Sequence, residues 1–106
     1  MPKYLIEGSY TAEGSRGLMK DKASGRKAAV EKLVANAGGK LECLYYAFGR
    51  EDIFAVVDMP SAASAAAVAV AGNASGLVRT RTIPLLTVEE TDQALSTNVS
   101  YSPPGA

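Results

Sequence analysis

The chain has 106 residues, eleven Lys+Arg against eleven Asp+Glu, one cysteine and no histidine or tryptophan. That length supports one modest core, and the balanced charge supplies no long-range field for nucleic acid or a membrane surface. The missing histidine removes His-based triads, an imidazole general base, proximal-His haem and the common zinc sites, while Cys43, with no second cysteine and no histidine to pair with, reads as a small core residue.

The opening stretch MPKYLIEGSY lacks the basic and then apolar segments of a secretory signal, and no run approaches the roughly 18 apolar residues of a spanning helix. A cytoplasmic protein is expected. Residues 3–10, KYLIEGSY, are short and rich in Tyr, Leu and Ile and read as a first strand ending at a capping Thr11. Thr11 to Asp21 is compatible with a helix, but Gly14 and Gly17 each cost about 1 kcal/mol against Ala, which predicts a short or broken one. Ser24 then caps GRKAAVEKLVANAGG, where Val30, Leu33, Val34 and Ala37 recur at helical spacing and Gly38-Gly39 stops the helix. Its opposite face carries Arg26, Lys27, Glu31 and Lys32, the composition of a solvated surface.

Leu41–Phe48 and Ile53–Met59 are β-branched and aromatic runs of strand length, joined by a Gly-Arg-Glu-Asp loop of hairpin size. After Pro60, Ser61 opens SAASAAAVAVAGNAS, a helix of small residues that ends at Gly76; so thin a face lets a helix lie close to a sheet. Leu77–Leu86 reads as a fourth strand with Pro84 marking an edge or bulge. Thr87 and Glu90 form a capping box for a last short helix, VEETDQAL. Residues 97–106 are polar, proline-containing and extended, leaving residues 1–96 as the folded domain.

This order, β-α-β-β-α-β with a terminal helix, predicts an α+β ferredoxin-like fold in which a four-stranded antiparallel sheet has its helices on one face. Bulky residues fall on both parities of the strands: Leu41, Cys43 and Tyr45 against Leu44, Tyr46 and Phe48, and Ile53, Ala55 and Val57 against Phe54 and Val56. A solvated sheet face alternates with polar residues, so a second sheet is expected to cover this one in a homodimer packed sheet to sheet.

The stretches YLIEGSYTAEGSRGL, SGRKAAVEKL, GGKLECLYYAFGREDIF, NASGLVR and LLTVEETD, which span nearly all of residues 3–92, resemble the GYD domain family, small bacterial and archaeal proteins placed with the dimeric α/β barrels. The resemblance implies a sheet-to-sheet dimer and brings no established activity. The family is named for a Gly-Tyr-Asp signature at the hairpin. This chain keeps Gly49 and Asp52 and places Arg50-Glu51 between them, with Glu51 where the tyrosine would stand.

At that hairpin, Gly49 permits positive φ at a strand end and Asp52 accepts loop amides as turn chemistry. A functional reading places Tyr10, Arg26, Tyr46, Phe48 and Asp52 around a pocket between sheet and helices, with Asp52 as base or ligand-orienting acceptor and the arginine as a carboxylate or phosphate partner. No Walker loop, no GxGxxG after a strand and no nucleophile in a recognisable setting is present, and no metal set or cofactor is expected. Two functions fit: a non-catalytic homo-oligomeric binding or stress-related protein with a small-molecule ligand, or, by fold analogy, a cofactor-independent monooxygenase- or isomerase-like enzyme acting on a small aromatic or ketone-like substrate. The extended tail and Pro84 leave open assembly beyond the dimer.

Overall fold

A computed structural model describes residues 1–106. Strand β1 (Lys3–Tyr10) lies inside the sheet, paired antiparallel with β3 (Ile53–Asp58) on one side and β4 (Val78–Leu85) on the other, while β2 (Lys40–Tyr46) pairs with β3, giving the order β2-β3-β1-β4. Three helices, α1 (Ala12–Asn36), α2 (Ala62–Ala74) and α3 (Val88–Leu95), complete a ferredoxin-like β-α-β-β-α-β chain with one added C-terminal helix. Residues 97–106 form no helix or strand, and no helix is long and apolar enough to cross a membrane.

The first helix is broken, as expected, but not at a glycine. Residues 12–21 are helical straight through Gly14 and Gly17, and the break falls at Lys22 (φ 64, ψ 168), ahead of Ser24. Gly14 is used for close approach: a Cβ there would overlap the Leu77 carbonyl. Thr11 caps this end by accepting from the Gly14 amide at 3.2 Å, and its own amide donates to Leu77 O at 2.9 Å. A tertiary contact with the start of β4 therefore outweighs the helix propensity that glycine lacks. The far end stops as the sequence indicates, with Gly38 at φ 82 and the Gly39 amide donating to Val34 O at 2.9 Å.

Strand alternation sends Tyr4, Ile6, Ala55, Val57 and Met59 under the helices, where Val34, Ala65 and Val68 complete a small buried cluster. An irregularity between Leu41 and Cys43 resets the parity of β2. Leu41, Leu44 and Tyr46 register against Val57, Ala55 and Ile53 of the helix-covered face, while Cys43 and Tyr45 join Val56 and Phe54 on the other. Leu41 is thus on the same side as Leu44, against the simple alternation read from the sequence. Leu5, Phe54, Val56 and Ile83 form an apolar band on the uncovered face, with Glu7, Arg79 and Arg81 beyond it toward the far end of β1, and Lys3 closes the near end with bonds of 2.8 Å to both Glu42 and Asp58. Those two carboxylates hold the Lys3 ammonium protonated well above the usual lysine range, the Asp58 bond contributing most. Pro84 sits in β4, an edge strand, where its missing amide leaves no ladder bond unmade.

Candidate functional site

Over the centre of the sheet the two long helices do not meet. Helix α2 offers Val68, Ala69 and Gly72 there, and a Cβ on Gly72 would still lie 3.7 Å from the nearest atom, a Val78 methyl. Small side chains that shorten the helix-to-sheet distance at Ala65 thus leave space one and two turns further on. The result is a cavity of about 100 Å³ whose floor is Ile6, Gly8, Ile53, Ala55 and Val78 and whose roof is Val30, Leu33 and Val34 from α1 and Val68 from α2. It opens into a groove of about 310 Å³ along the kinked part of α1, with Tyr10, Arg26, Leu33, Gly72 and Val78 common to both.

The polar groups gather at one end of this space. Tyr10 arrives from the end of β1 and Arg26 from the first turn after the Lys22 break. Tyr46, at the end of β2, directs its hydroxyl to the Ala23 carbonyl at 3.4 Å, an acceptor within one residue of the break. Burial pushes the Tyr46 phenol up to about 12, the neighbouring Tyr10 hydroxyl adds to the rise, and Arg26 opposes it. A phenol so placed stays protonated at neutral pH and acts as a hydrogen-bond donor. Arg26 has only a long, solvent-exposed contact of 3.8 Å with Asp21, which leaves its guanidinium able to turn toward a ligand.

No carboxylate lines the cavity itself. Asp52, a candidate base on sequence grounds, is committed elsewhere: its carboxylate accepts the Tyr10 amide at 2.8 Å, its own amide donates to Gly8 O at 2.8 Å, and its carbonyl accepts the Ala47 amide at 2.9 Å. It ties the hairpin to β1 and fixes Tyr10, acting on the cavity wall from behind. Phe48 is fully exposed in the loop and lies away from the pocket residues it was grouped with. Gly49 is not in the left-handed region and has open space around its Cβ position, so neither conformation nor contact demands glycine there. Glu51 accepts from the Ser9 hydroxyl at 2.5 Å, a second tie between hairpin and β1.

Of the five residues grouped from the sequence, the structure brings Tyr10, Tyr46 and Arg26 together and leaves Phe48 and Asp52 outside. Val68, Ala69 and Gly72 on α2, and Thr80 on β4, were not anticipated; the signal for the first three was the smallness of α2, which reads equally as tight packing. No group of three or more His, Cys, Asp or Glu side chains is placed to hold a metal ion. A family profile described as GYD domain matches residues 4–95, and a search of curated proteins returned no match.

Proposed function

The chain belongs to the GYD domain family, and from that premise we propose that it is a non-catalytic, homo-oligomeric binding protein for a small, mainly apolar molecule carrying one carbonyl-type oxygen. The observation that carries this reading is the make-up of the cavity: apolar walls with no carboxylate among them and with Tyr10 and Arg26 at one end, Tyr46 standing beside Tyr10, while Asp21 belongs to the adjoining groove, 3.8 Å from Arg26. The Tyr10 hydroxyl and the Arg26 guanidinium orient an oxygen acceptor by donating to it, while Tyr46, whose one O–H goes to the Ala23 carbonyl, packs beside Tyr10. No carboxylate lines the cavity, and Asp21, in the adjoining groove, faces Arg26, an arrangement that favours binding over proton abstraction.

The oligomer is supported by surface area. The single chain exposes 7265 Å² and buries only ten residues, whereas a folded monomer of this mass exposes about 5,600 Å². The excess, about 1,600 Å², is about twice the 800 Å² a standard interface hides on each partner, and the uncovered sheet face and the C-terminal segment both carry apolar side chains available to such an interface.

Titration of the full chain with acetophenone, followed by amide chemical shifts, tests the binding reading. Saturable shifts are expected at Gly8, Ile53, Gly72 and Val78. They weaken several-fold in Tyr10→Phe and vanish in Ala69→Leu, whose side chain fills the space. Saturation that is indifferent to both substitutions, or no saturation at all, overturns the assignment.

A further inference from the structure

The C-terminal segment from Leu86 onward contains no buried residue. Leu86, Val88, Leu95, Val99 and Tyr101 are each 62–79 % exposed, and the molecule is drawn out to 55 Å along one axis against 32 and 22 Å on the others. Such an arm does not arise from weak helix signals. Thr87 and Glu90 make a reciprocal capping box, with bonds of 3.1 and 2.9 Å, and the amide and hydroxyl of Thr87 hold the Glu90 carboxyl below the usual carboxylate range. The result is a well-started helix with no surface of its own chain to cover.

Charge divides along the same line. All eleven Lys+Arg lie in residues 1–81 together with eight of the eleven acids, so the body carries +3; Glu89, Glu90 and Asp92 give the arm −3. Two of the body's cations, Arg79 and Arg81, are exposed on the uncovered face of the edge strand β4, and no carboxylate lies within ion-pair distance of either. On α3, Val88 and Leu95 are seven residues apart and share one stripe, with Asp92 and Glu89 stepping away along its flank.

We propose that the arm docks on a second copy of this chain, Val88 and Leu95 covering apolar surface at the sheet edge while Glu89 and Asp92 meet the partner's Arg79 and Arg81. The arm makes no ion pair with those arginines in its own chain: they lie six and four residues before the end of β4, about 20 and 13 Å away at 3.3 Å per residue, and the arm continues from that end. A two-fold axis lying between two facing sheets and perpendicular to the strands reverses β4 over β4 and brings each arm to the other copy's arginines. The inference rests on the sheet-to-sheet dimer proposed above and selects, between the two orientations of that axis, the one that crosses the edge strands antiparallel.

The test is a charge exchange in the full chain. Glu89→Lys with Asp92→Lys, and separately Arg79→Glu with Arg81→Glu, set like charges against each other at both symmetric contacts. Each variant alone is expected to dimerise about tenfold more weakly or worse than the natural chain, as like-charge juxtaposition across an interface does. Mixed one to one, they present opposite charges at both contacts, and heterodimers form with the affinity restored, read by sedimentation equilibrium with one variant fluorescently labelled. If the natural chain is a dimer and each variant dimerises with unchanged affinity, the arm does not dock between copies and the inference fails while the dimer stands. If each is weakened but the mixture is not rescued, the pairing is wrong. A natural chain that stays monomeric at all concentrations removes the dimer itself, and this inference with it.

Discussion

Alanine at Gly14 and alanine at Gly17 are the same substitution three residues apart on one helix, and the structure assigns them opposite signs. At Gly14 the new methyl would occupy the place of the Leu77 carbonyl, a backbone group with no rotamer to yield. That carbonyl accepts the Thr11 amide at 2.9 Å and the Thr11 hydroxyl at 3.3 Å. Relief requires the first turn of α1 to part from the start of β4, which loses about 1 kcal/mol for each of the two bonds and about 1–3 kcal/mol in overpacking. The helical preference of alanine offsets about 1 kcal/mol of this, leaving a net destabilisation of about 2–4 kcal/mol. At Gly17 nothing lies within 4 Å of the Cβ position. Only the chain-entropy gain applies there, and stability rises by about 0.5–1 kcal/mol. Urea unfolding at one fixed protein concentration, followed by circular dichroism, reads both. A Gly14→Ala chain as stable as the natural one, or a Gly17→Ala chain less stable, would refute the claim that close approach to Leu77 is why the glycine-containing segment is helical.

Three further outcomes follow from single groups. The Thr82 hydroxyl is buried without a partner, so Thr82→Val, which keeps the shape and removes the orphaned polar group, raises stability by about 1 kcal/mol in the same unfolding assay. Asp52→Ala leaves the Tyr10 amide without its acceptor and lowers stability by about 1–3 kcal/mol, whereas Gly49→Ala, in open space, stays within about 0.5 kcal/mol of the natural chain. Because Tyr46 ionises only near 12 when folded, against 10 for the free side chain, its contribution is fully present below pH 10 and is lost as the pH rises toward 12. Tyrosinate absorbance at 295 nm shows that late step in the natural chain and not in Tyr46→Phe.

The architecture was largely legible because each element carries a local signal that no tertiary contact contradicts. The Val30–Ala37 spacing, the Gly38-Gly39 stop and the two capping residues Ser61 and Thr87 all appear where the pattern puts them. The misreadings have physical causes. The first helix is broken as expected, but the glycines named as the cause do not break it: Gly14 is a packing glycine, and the interruption falls on Lys22, a residue type with no reason of its own to leave the helix. The irregularity in β2 reassigns Leu41 to the covered face, which strict alternation cannot foresee. At the site, the polar end was visible as tyrosines and an arginine near element ends. The cavity was not, because a helix of alanine and valine states only that its side chains are small, while the space it leaves depends on how far its backbone stands from the sheet. Asp52 drew notice for the right reason, a carboxylate in a hairpin, but its partner is the Tyr10 amide, 42 positions away.

The central claim, that the space between helices and sheet receives a small apolar molecule whose oxygen is held by Tyr10 and Arg26, is tested most directly by intermolecular nuclear Overhauser effects between acetophenone and methyl-labelled protein. The account predicts contacts from the ring protons to Ile6, Val30, Val68 and Val78. Contacts confined to Leu5, Val56 and Ile83 would place the molecule on the uncovered sheet face, and that result, or the absence of any contact at saturating acetophenone, would contradict it.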